Sequence, residues 1–139
     1  MYSIFAAVLI FGNINAEANM NCQQHHCVGI IDAGSTGSRF HIYTYDLDEH
    51  NSPISISEQW FKKVKPGFAS LDNSQAVVDA YLANLFAGAP QVALPVYFYA
   101  TAGMRLLPKL KQAEMFNYLT NWFNGQNQWV LKEAETLAG

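Results

Sequence analysis

The sequence predicts an α/β fold with the element order β-β-β-α-β-α-β, a mixed sheet flanked by helices. Three observations support this prediction. Apolar and polar residues alternate over residues 39–45, which is the period of a strand. After Leu71, apolar residues recur every three or four positions, which is the period of a helix. An almost continuous apolar run from Val92 to Tyr99 then indicates a strand buried on both faces of the sheet.

The first three strands are predicted to be neighbours joined by short turns. They cover residues 27–32, 39–45 and 54–61, and a polar turn over residues 46–53 separates the second from the third.

The second half of the chain is predicted to contain two helices and two strands. The first helix begins after the N-cap candidates at residues 72–74 and stops at Gly88. The second spans residues 109–124, and a last strand spans residues 129–137. Pro95 conflicts with the apolar strand unless it lies at the start of that strand or at a bulge.

The composition excludes several classes of function. Half of the 139 residues are hydrophobic and 14% are charged, so the chain can bury enough apolar surface to fold. The formal net charge of -3 argues against a dedicated nucleic-acid binder. A stable membrane span is not expected, because the longest apolar run is well below the roughly 20 residues that a spanning helix needs.

The N-terminus has features of a secretory signal. Residues 4–12 are apolar, and Ala16 and Ala18 are small residues of the kind that signal peptidase reads. No Lys or Arg precedes the run, and a buried first strand or helix is the alternative. We expect a signal peptide over residues 1–18, and hence a secreted or periplasmic protein.

Two cysteines, Cys22 and Cys27, follow this segment. In an oxidising compartment, so close a pair is expected to form a small-loop disulfide. Two free thiols remain an alternative. A zinc site involving His25 and His26 is another, although no second pair of ligands lies at a matching distance.

A first candidate binding loop is Asp32-Ala33-Gly34-Ser35-Thr36-Gly37-Ser38-Arg39. Its glycines let backbone amides converge on an anion, its hydroxyls add donors, and Arg39 supplies a planar charged group suited to phosphate. Asp32 can hold a hydrated divalent cation. From composition alone, an ordinary glycine-rich hairpin turn is an equal alternative.

A second loop of small residues, at positions 100–105, follows the apolar strand. Ligands of α/β sheets bind beyond strand ends, which is where this loop is expected. Thr101 can orient a water or a phosphate oxygen. Arg105 is expected to be an ion-pair strut beneath the loop rather than a second phosphate contact.

Together, the segments Ile31–Arg39 and Tyr99–Leu107 resemble the first and second conserved regions of the apyrases, the nucleoside triphosphate diphosphohydrolases. These enzymes belong to the actin, sugar-kinase and Hsp70 superfamily. The segment Lys63–Ala69 resembles the stretch that links the two regions. The resemblance covers about residues 28–139 and implies a ribonuclease-H-like (actin-like ATPase) lobe.

The resemblance implies metal-dependent hydrolysis of the terminal phosphate of nucleoside tri- and diphosphates by an activated water. It assigns Asp32 to Mg²⁺ or Ca²⁺ through water and Thr101 to positioning the attacking water. The residues that it assigns to phosphate binding are Gly34, Ser35, Thr36, Gly37, Ser38, Arg39, Ala102 and Gly103.

The resemblance also implies that residues 19–139 are one phosphate-binding lobe of a two-lobed enzyme and are inactive alone. The catalytic Glu of the family is expected beyond Gly139, and the second lobe would hold base and ribose. Glu133 and Glu135 are expected to be polar positions on a half-exposed strand.

Two alternative functions remain open. An exopolyphosphatase-type enzyme uses a similar loop, although Thr36, Ala102 and the signal features count against it. A non-catalytic module that binds an anion or a partner is the other, since one fold hosts many functions.

Overall fold

A five-stranded mixed sheet organises residues 20–138, the part of the chain that the computed structural model describes. In space the strands lie in the order β3-β2-β1-β4-β5. The first three form an antiparallel meander, whereas β4 and β5 run parallel to β1. The strands are β1 (His26–Ala33), β2 (Ser38–Leu47), β3 (Pro53–Val64), β4 (Leu94–Ala100) and β5 (Trp129–Thr136).

Three α-helices lie within the described residues: α1 (Gln75–Phe86), α2 (Ala102–Arg105) and α3 (Lys109–Asn124). A short 3-10 helix, Phe68–Ser70, lies between β3 and α1. The predicted element order is confirmed, with the two shortest helical pieces added. Ser74 is the N-cap residue of α1, as predicted, and α3 has the predicted bounds.

The sheet has a covered face and an open face. On the covered face, β1, β2 and β4 pack against α1 and α3. The Phe40 ring lies 4.3 Å from that of Phe86 in α1, and the Phe98 ring lies 6.2 Å from that of Phe116 in α3. This face holds the hydrophobic core, whose fully buried members include Ile31, Ile42, Val78, Leu82, Leu85, Val96, Met115 and Leu119.

The open face corrects one prediction from the sequence. The apolar run predicts that β4 is buried on both faces, but only alternate residues of β4 are buried, and Pro95, Tyr97 and Tyr99 are half-buried. Tyr97 and Tyr99 contribute to the apolar run, but each carries a hydroxyl suited to a partly exposed face. Pro95 lies near the start of β4, before its pairing with β1 begins at Val96, as expected.

A disulfide joins Cys22, which precedes β1, to Cys27, the second residue of β1, with an Sγ–Sγ distance of 2.03 Å. Within residues 20–138, no group of three or more His, Cys, Asp or Glu side chains is arranged to hold a metal ion. No helix in this same range is long and apolar enough to cross a bilayer. The predicted signal peptide, residues 1–18, lies outside the described residues.

Candidate functional site

The two candidate loops lie side by side at one edge of the sheet. The parallel strands β1 and β4 end together, with Ala33 paired to Ala100. The Thr101 amide donates to the Ala33 carbonyl at 3.1 Å, and the Thr101 hydroxyl makes a longer bond to the same oxygen at 3.4 Å. The second loop is therefore tied to the strand from which the first loop leaves.

The first loop is a tight turn between β1 and β2. The Gly34 amide donates to the Gly37 carbonyl at 3.0 Å, and Ser35 and Thr36 are exposed at the tip. Gly37 is buried against β3, where a Cβ would lie 2.7 Å from the Val64 carbonyl oxygen. A side chain at position 37 would therefore force the backbone of one strand to move.

Two glycines from other segments enclose this turn. A Cβ on Gly67 would collide with the Ser35 carbonyl oxygen and would lie 2.7 Å from that of Gly34. From the second loop, a Cβ on Gly103 would lie 3.3 Å from the Ser35 Cα. The conformation of the turn is thus fixed by backbone on two sides. Reasoning from the residues alone did not single out Gly67, which lies within the linking segment that carries the family resemblance.

Ser38 lies behind the turn. Its side chain is 0% exposed, and its hydroxyl is 2.8 Å from that of Tyr81, which is also 2.6 Å from the Pro66 carbonyl. A carbonyl only accepts and a phenol has one proton, so Tyr81 donates to Pro66 and Ser38 donates to Tyr81. Burial raises the pKa of Tyr81, which keeps it neutral. The Ser38 hydroxyl is therefore enclosed behind the turn and bonded to Tyr81.

A row of polar residues crosses the open face of the sheet, one residue away from the edge at which β1 and β4 end and β2 begins. In register across the sheet, the row consists of Lys63, Arg39, Asp32, Tyr99 and Glu135. Asp32 and Arg39 are both half-buried. The Arg39 guanidinium reaches back towards the first loop, since its Nη1 would lie 3.7 Å from a Cβ on Gly34. A carboxylate and a permanent cation therefore stand beside the turn.

Tyr99 is a neutral donor within this row. Its hydroxyl donates to the Glu133 carboxylate at 2.7 Å. That hydrogen bond is the main cause that raises the pKa of Tyr99 to about 12, followed by burial and by the nearby negative charges. The bond leaves Glu133 engaged with Tyr99 at neutral pH, and both Glu133 and Glu135 are exposed positions of β5.

The second loop opens the short helix α2. Thr101 is its N-cap, and the Met104 and Arg105 amides donate to the Thr101 carbonyl at 3.1 and 3.3 Å. The first amides of a helical turn, here those of Ala102 and Gly103, have no acceptor inside it. The Arg105 guanidinium donates a hydrogen bond to the Leu137 carbonyl at 2.7 Å. Arg105 therefore supports the loop through a backbone carbonyl, and not through the expected ion pair.

Comparisons with known proteins show to which family the chain belongs. The sequence profile of the GDA1/CD39 (nucleoside phosphatase) family matches residues 18–137. A guanosine-diphosphatase of Saccharomyces cerevisiae is 32% identical, over 75% of this chain and 21% of its own length. An apyrase of Solanum tuberosum is 29% identical, over 94% of this chain and 33% of its own length. The chain thus spans a fifth to a third of these relatives.

A solved structure of a nucleoside triphosphate hydrolase from Neospora caninum has the same fold. It superposes with a TM-score of 0.58 and 13% sequence identity, over 83% of this chain and 29% of that one. The likeness confirms the ribonuclease-H-like, actin-like α/β lobe that the sequence predicts.

Proposed function

Because this chain belongs to the GDA1/CD39 nucleoside phosphatase family, we propose that its natural-length protein hydrolyses the terminal phosphate of nucleoside tri- and diphosphates. The observation that supports this most directly is the enclosed turn at residues 34–37. It lies at the carboxyl ends of two parallel strands, with Asp32 and Arg39 beside it and the second loop against it. In α/β sheets this edge is where ligands bind.

The turn is the proposed seat of the terminal phosphate. Ser35 and Thr36 are exposed at its tip and can donate hydroxyl hydrogen bonds. The amides of Ser35, Thr36 and Gly37 and those of Ala102 and Gly103 are further candidate donors from backbone, while Gly34 shapes the turn through its own bond to the Gly37 carbonyl. Arg39 can place its planar guanidinium along two phosphate oxygens, which also makes the hydrogen bonds charge-assisted.

A divalent cation, Mg²⁺ or Ca²⁺, suits the donor set beside the turn. Among the described residues, Asp32 is the one carboxylate of the polar row that lies next to the first loop. We therefore assign it to holding the ion through water. Mg²⁺ commonly binds in this way, with few carboxylates and with water and phosphate oxygens completing its shell. When bound, the ion would neutralise charge that develops on the transferring phosphate.

Thr101 is the proposed positioning group for the attacking water. Its hydroxyl has only the long 3.4 Å bond to the Ala33 carbonyl, and it is half-buried at the junction of the two loops. Phosphoryl transfer to water depends mainly on alignment and charge stabilisation. A general base must also take a proton from that water, and we assign this role to a Glu beyond Gly139. The 139-residue chain is then inactive alone.

Secretion is part of this proposal. The features of residues 1–18 support a cleaved signal peptide, and the Cys22–Cys27 disulfide suits an oxidising compartment.

The test is phosphate release by the natural-length protein, offered ATP, ADP, GDP, UDP and polyphosphate with and without a chelator. We expect chelator-sensitive release from the nucleotides, and a loss of about 100-fold or more in Arg39→Ala, the magnitude typical of a lost oxyanion donor. Lys132→Ala is the matched control, because it removes an exposed cation from β5 away from the turn.

The other outcomes separate the alternatives. Release from polyphosphate alone would assign the site to exopolyphosphatase chemistry. A folded natural-length protein that releases phosphate from none of the substrates would be a binding module.

A further inference from the structure

A polar cleft that the proposed function does not use lies at the end of the sheet opposite the first loop. Trp129 begins β5 there and is paired with Leu94 at the start of β4, whereas the first loop lies beyond the other end of β4. The seven residues of β4 put about 20 Å between the two places. The cleft has a volume of about 210 Å³ and is lined by Gln91, Gly125, Gln126, Asn127, Gln128 and Trp129.

Two buried polar atoms at this cleft lack a hydrogen-bond partner. Among the described residues, the buried side-chain atoms without one are Gln128 Oε1, Trp129 Nε1 and Thr136 Oγ1. The first two belong to adjacent residues that line the cleft. Trp129 is only 8% exposed, and an indole N–H can only donate. Since buried polar groups are normally paired, these two atoms indicate a ligand that donates to Gln128 and accepts from Trp129.

Both residues are held in place by the fold. The indole ring of Trp129 lies 4.7 Å from the ring of Phe86 and is stacked on that of Trp122 at 6.5 Å, with an angle of 12° between the planes. The Gln128 carbonyl accepts from the Leu94 amide at 3.1 Å, which ties the loop to β4. The two atoms without a partner therefore belong to a preorganised part of the surface, where little ordering is needed on binding.

The other side chains around the cleft add acceptors and no charge. The amide nitrogen of Gln126 donates to the Trp122 carbonyl, and that of Gln91 donates to the Ala89 carbonyl, each at 3.2 Å. Their amide oxygens can then accept from a ligand. None of the six lining residues is ionisable, so a charged ligand would have no counter-charge there. Several acceptors and one donor suit a neutral molecule rich in hydroxyl groups, because a hydroxyl both donates and accepts.

We propose that this cleft, between the α1–β4 and α3–β5 loops, binds one ring of a neutral saccharide. Its volume of about 210 Å³ is below that of the pockets that hold drug-sized ligands, which begin at about 300 Å³. The volume therefore suits a single ring. Residues 121–129 also combine five Asn or Gln side chains with two Trp, a run of hydrogen-bonding groups that the hydrolytic site does not use. The proposal does not rest on the hydrolytic activity, since the cleft is remote from the first loop.

The test is a titration of the natural-length protein, isotope-labelled in its tryptophan indoles and followed by NMR, with glucose, galactose and N-acetylglucosamine. The Nε1–H signal of Trp129 is identified by its loss in Trp129→Phe. We expect this signal to shift and to saturate with at least one of the three sugars at millimolar concentration. Glycerol and inorganic phosphate are the control solutes. They should not shift it, because glycerol has no ring and phosphate is charged.

Variants of the cleft test the contact itself. Gln128→Leu removes the acceptor without a partner at nearly constant volume, and we expect it to weaken sugar binding about tenfold. Gln126→Leu removes a second acceptor and is expected to act in the same direction, which keeps the test valid if Gln128→Leu fails to fold. Asn117→Leu is the matched control, because it removes an exposed amide of α3 that does not line the cleft. It should leave the affinity unchanged.

Phosphate release from ATP is followed in the same preparations, so that sugar binding and hydrolysis are measured separately. The proposal is overturned if none of the three sugars gives a saturable shift, which would mean that water alone pairs with Gln128 and Trp129. It is also overturned if glycerol shifts the signal as far as the sugars do. Sugar binding that neither Gln128→Leu nor Gln126→Leu weakens would place the saccharide elsewhere and overturn it as well.

Discussion

On β4, Phe98 is fully buried against Phe68 and Phe116, whereas its neighbours Tyr97 and Tyr99 lie half-buried on the open face. The same alternation holds on β1, where Ile31 is buried and Asp32 is half-exposed beside the first loop. Because side chains of a strand point to opposite faces in turn, adjacent residues can serve packing and chemistry separately. The covered face stabilises the lobe, and the open face carries Asp32 and Arg39 beside the first loop.

The first loop lies where the two faces meet and depends on both. From the covered side, Ser38 and Tyr81 hold its second strand against Pro66. From the open side, Asp32 and Arg39 stand next to it. A substitution on the covered side should therefore change stability first, and one on the open side should change ligand chemistry first.

The largest expected effect comes from the covered face. Phe98→Ala should lower the free energy of unfolding by about 3–5 kcal/mol, because it leaves a cavity in a close-packed core. Tyr97→Ala, one residue away on the open face, should cost only about 1 kcal/mol in the 139-residue chain. Urea denaturation of both variants measures the difference. Equal losses would mean that the two faces are not distinct in their packing.

A smaller loss is expected where the covered face braces the loop. Tyr81→Phe leaves the buried Ser38 hydroxyl and the Pro66 carbonyl without their partner, which should cost about 1–3 kcal/mol. Tyr45→Phe, which removes a hydroxyl from the open face, should stay within about 0.5 kcal/mol. The same denaturation experiment compares the pair, and a neutral Tyr81→Phe would contradict the bracing role.

The smallest effect is a pH dependence that belongs to the open face. The hydrogen bond to Glu133 raises the pKa of Tyr99 from 10.0 to about 12, so it favours the protonated phenol. Its contribution to stability is complete below pH 10 and is lost as the pH rises from 10 through about 12.

Alkaline titration followed by tyrosinate absorbance checks this shift. Tyr99→Phe should remove an ionisation near pH 12, and Glu133→Gln should move it back towards pH 10. A titration curve that neither variant alters would contradict the assignment of this hydrogen bond.

The order of elements could be predicted because its signals are local. The N-cap at Ser74 and the apolar stripe of α1 depend only on residues within a few turns. The position of Pro95 at a strand start follows from its missing N–H. The prediction that β4 is buried on both faces was wrong for one face. Tyr97 and Tyr99 lengthen the apolar run, although each carries a polar hydroxyl.

The site was predictable only in part, because its remaining contacts are distant in sequence. The approach of the two loops follows from the parallel pairing of β1 and β4. The hydrogen bond between Ser38 and Tyr81 joins residues 43 positions apart, and no local sequence pattern predicts it. The role of Gly67 likewise depends on which backbone happens to lie against it.

The closeness of Gly67 and Gly103 to the turn has a consequence for the free energy of the anion binding proposed above. Fixing the backbone of a free loop costs about 1–2 kcal/mol per residue in conformational entropy. Here the turn at residues 34–37 is closed by its own backbone hydrogen bond and lies against the backbone at Gly67 and Gly103 in the folded protein. Under the proposed function, the terminal phosphate would therefore bind a turn that is already ordered, and little of its interaction energy would be lost to ordering the protein.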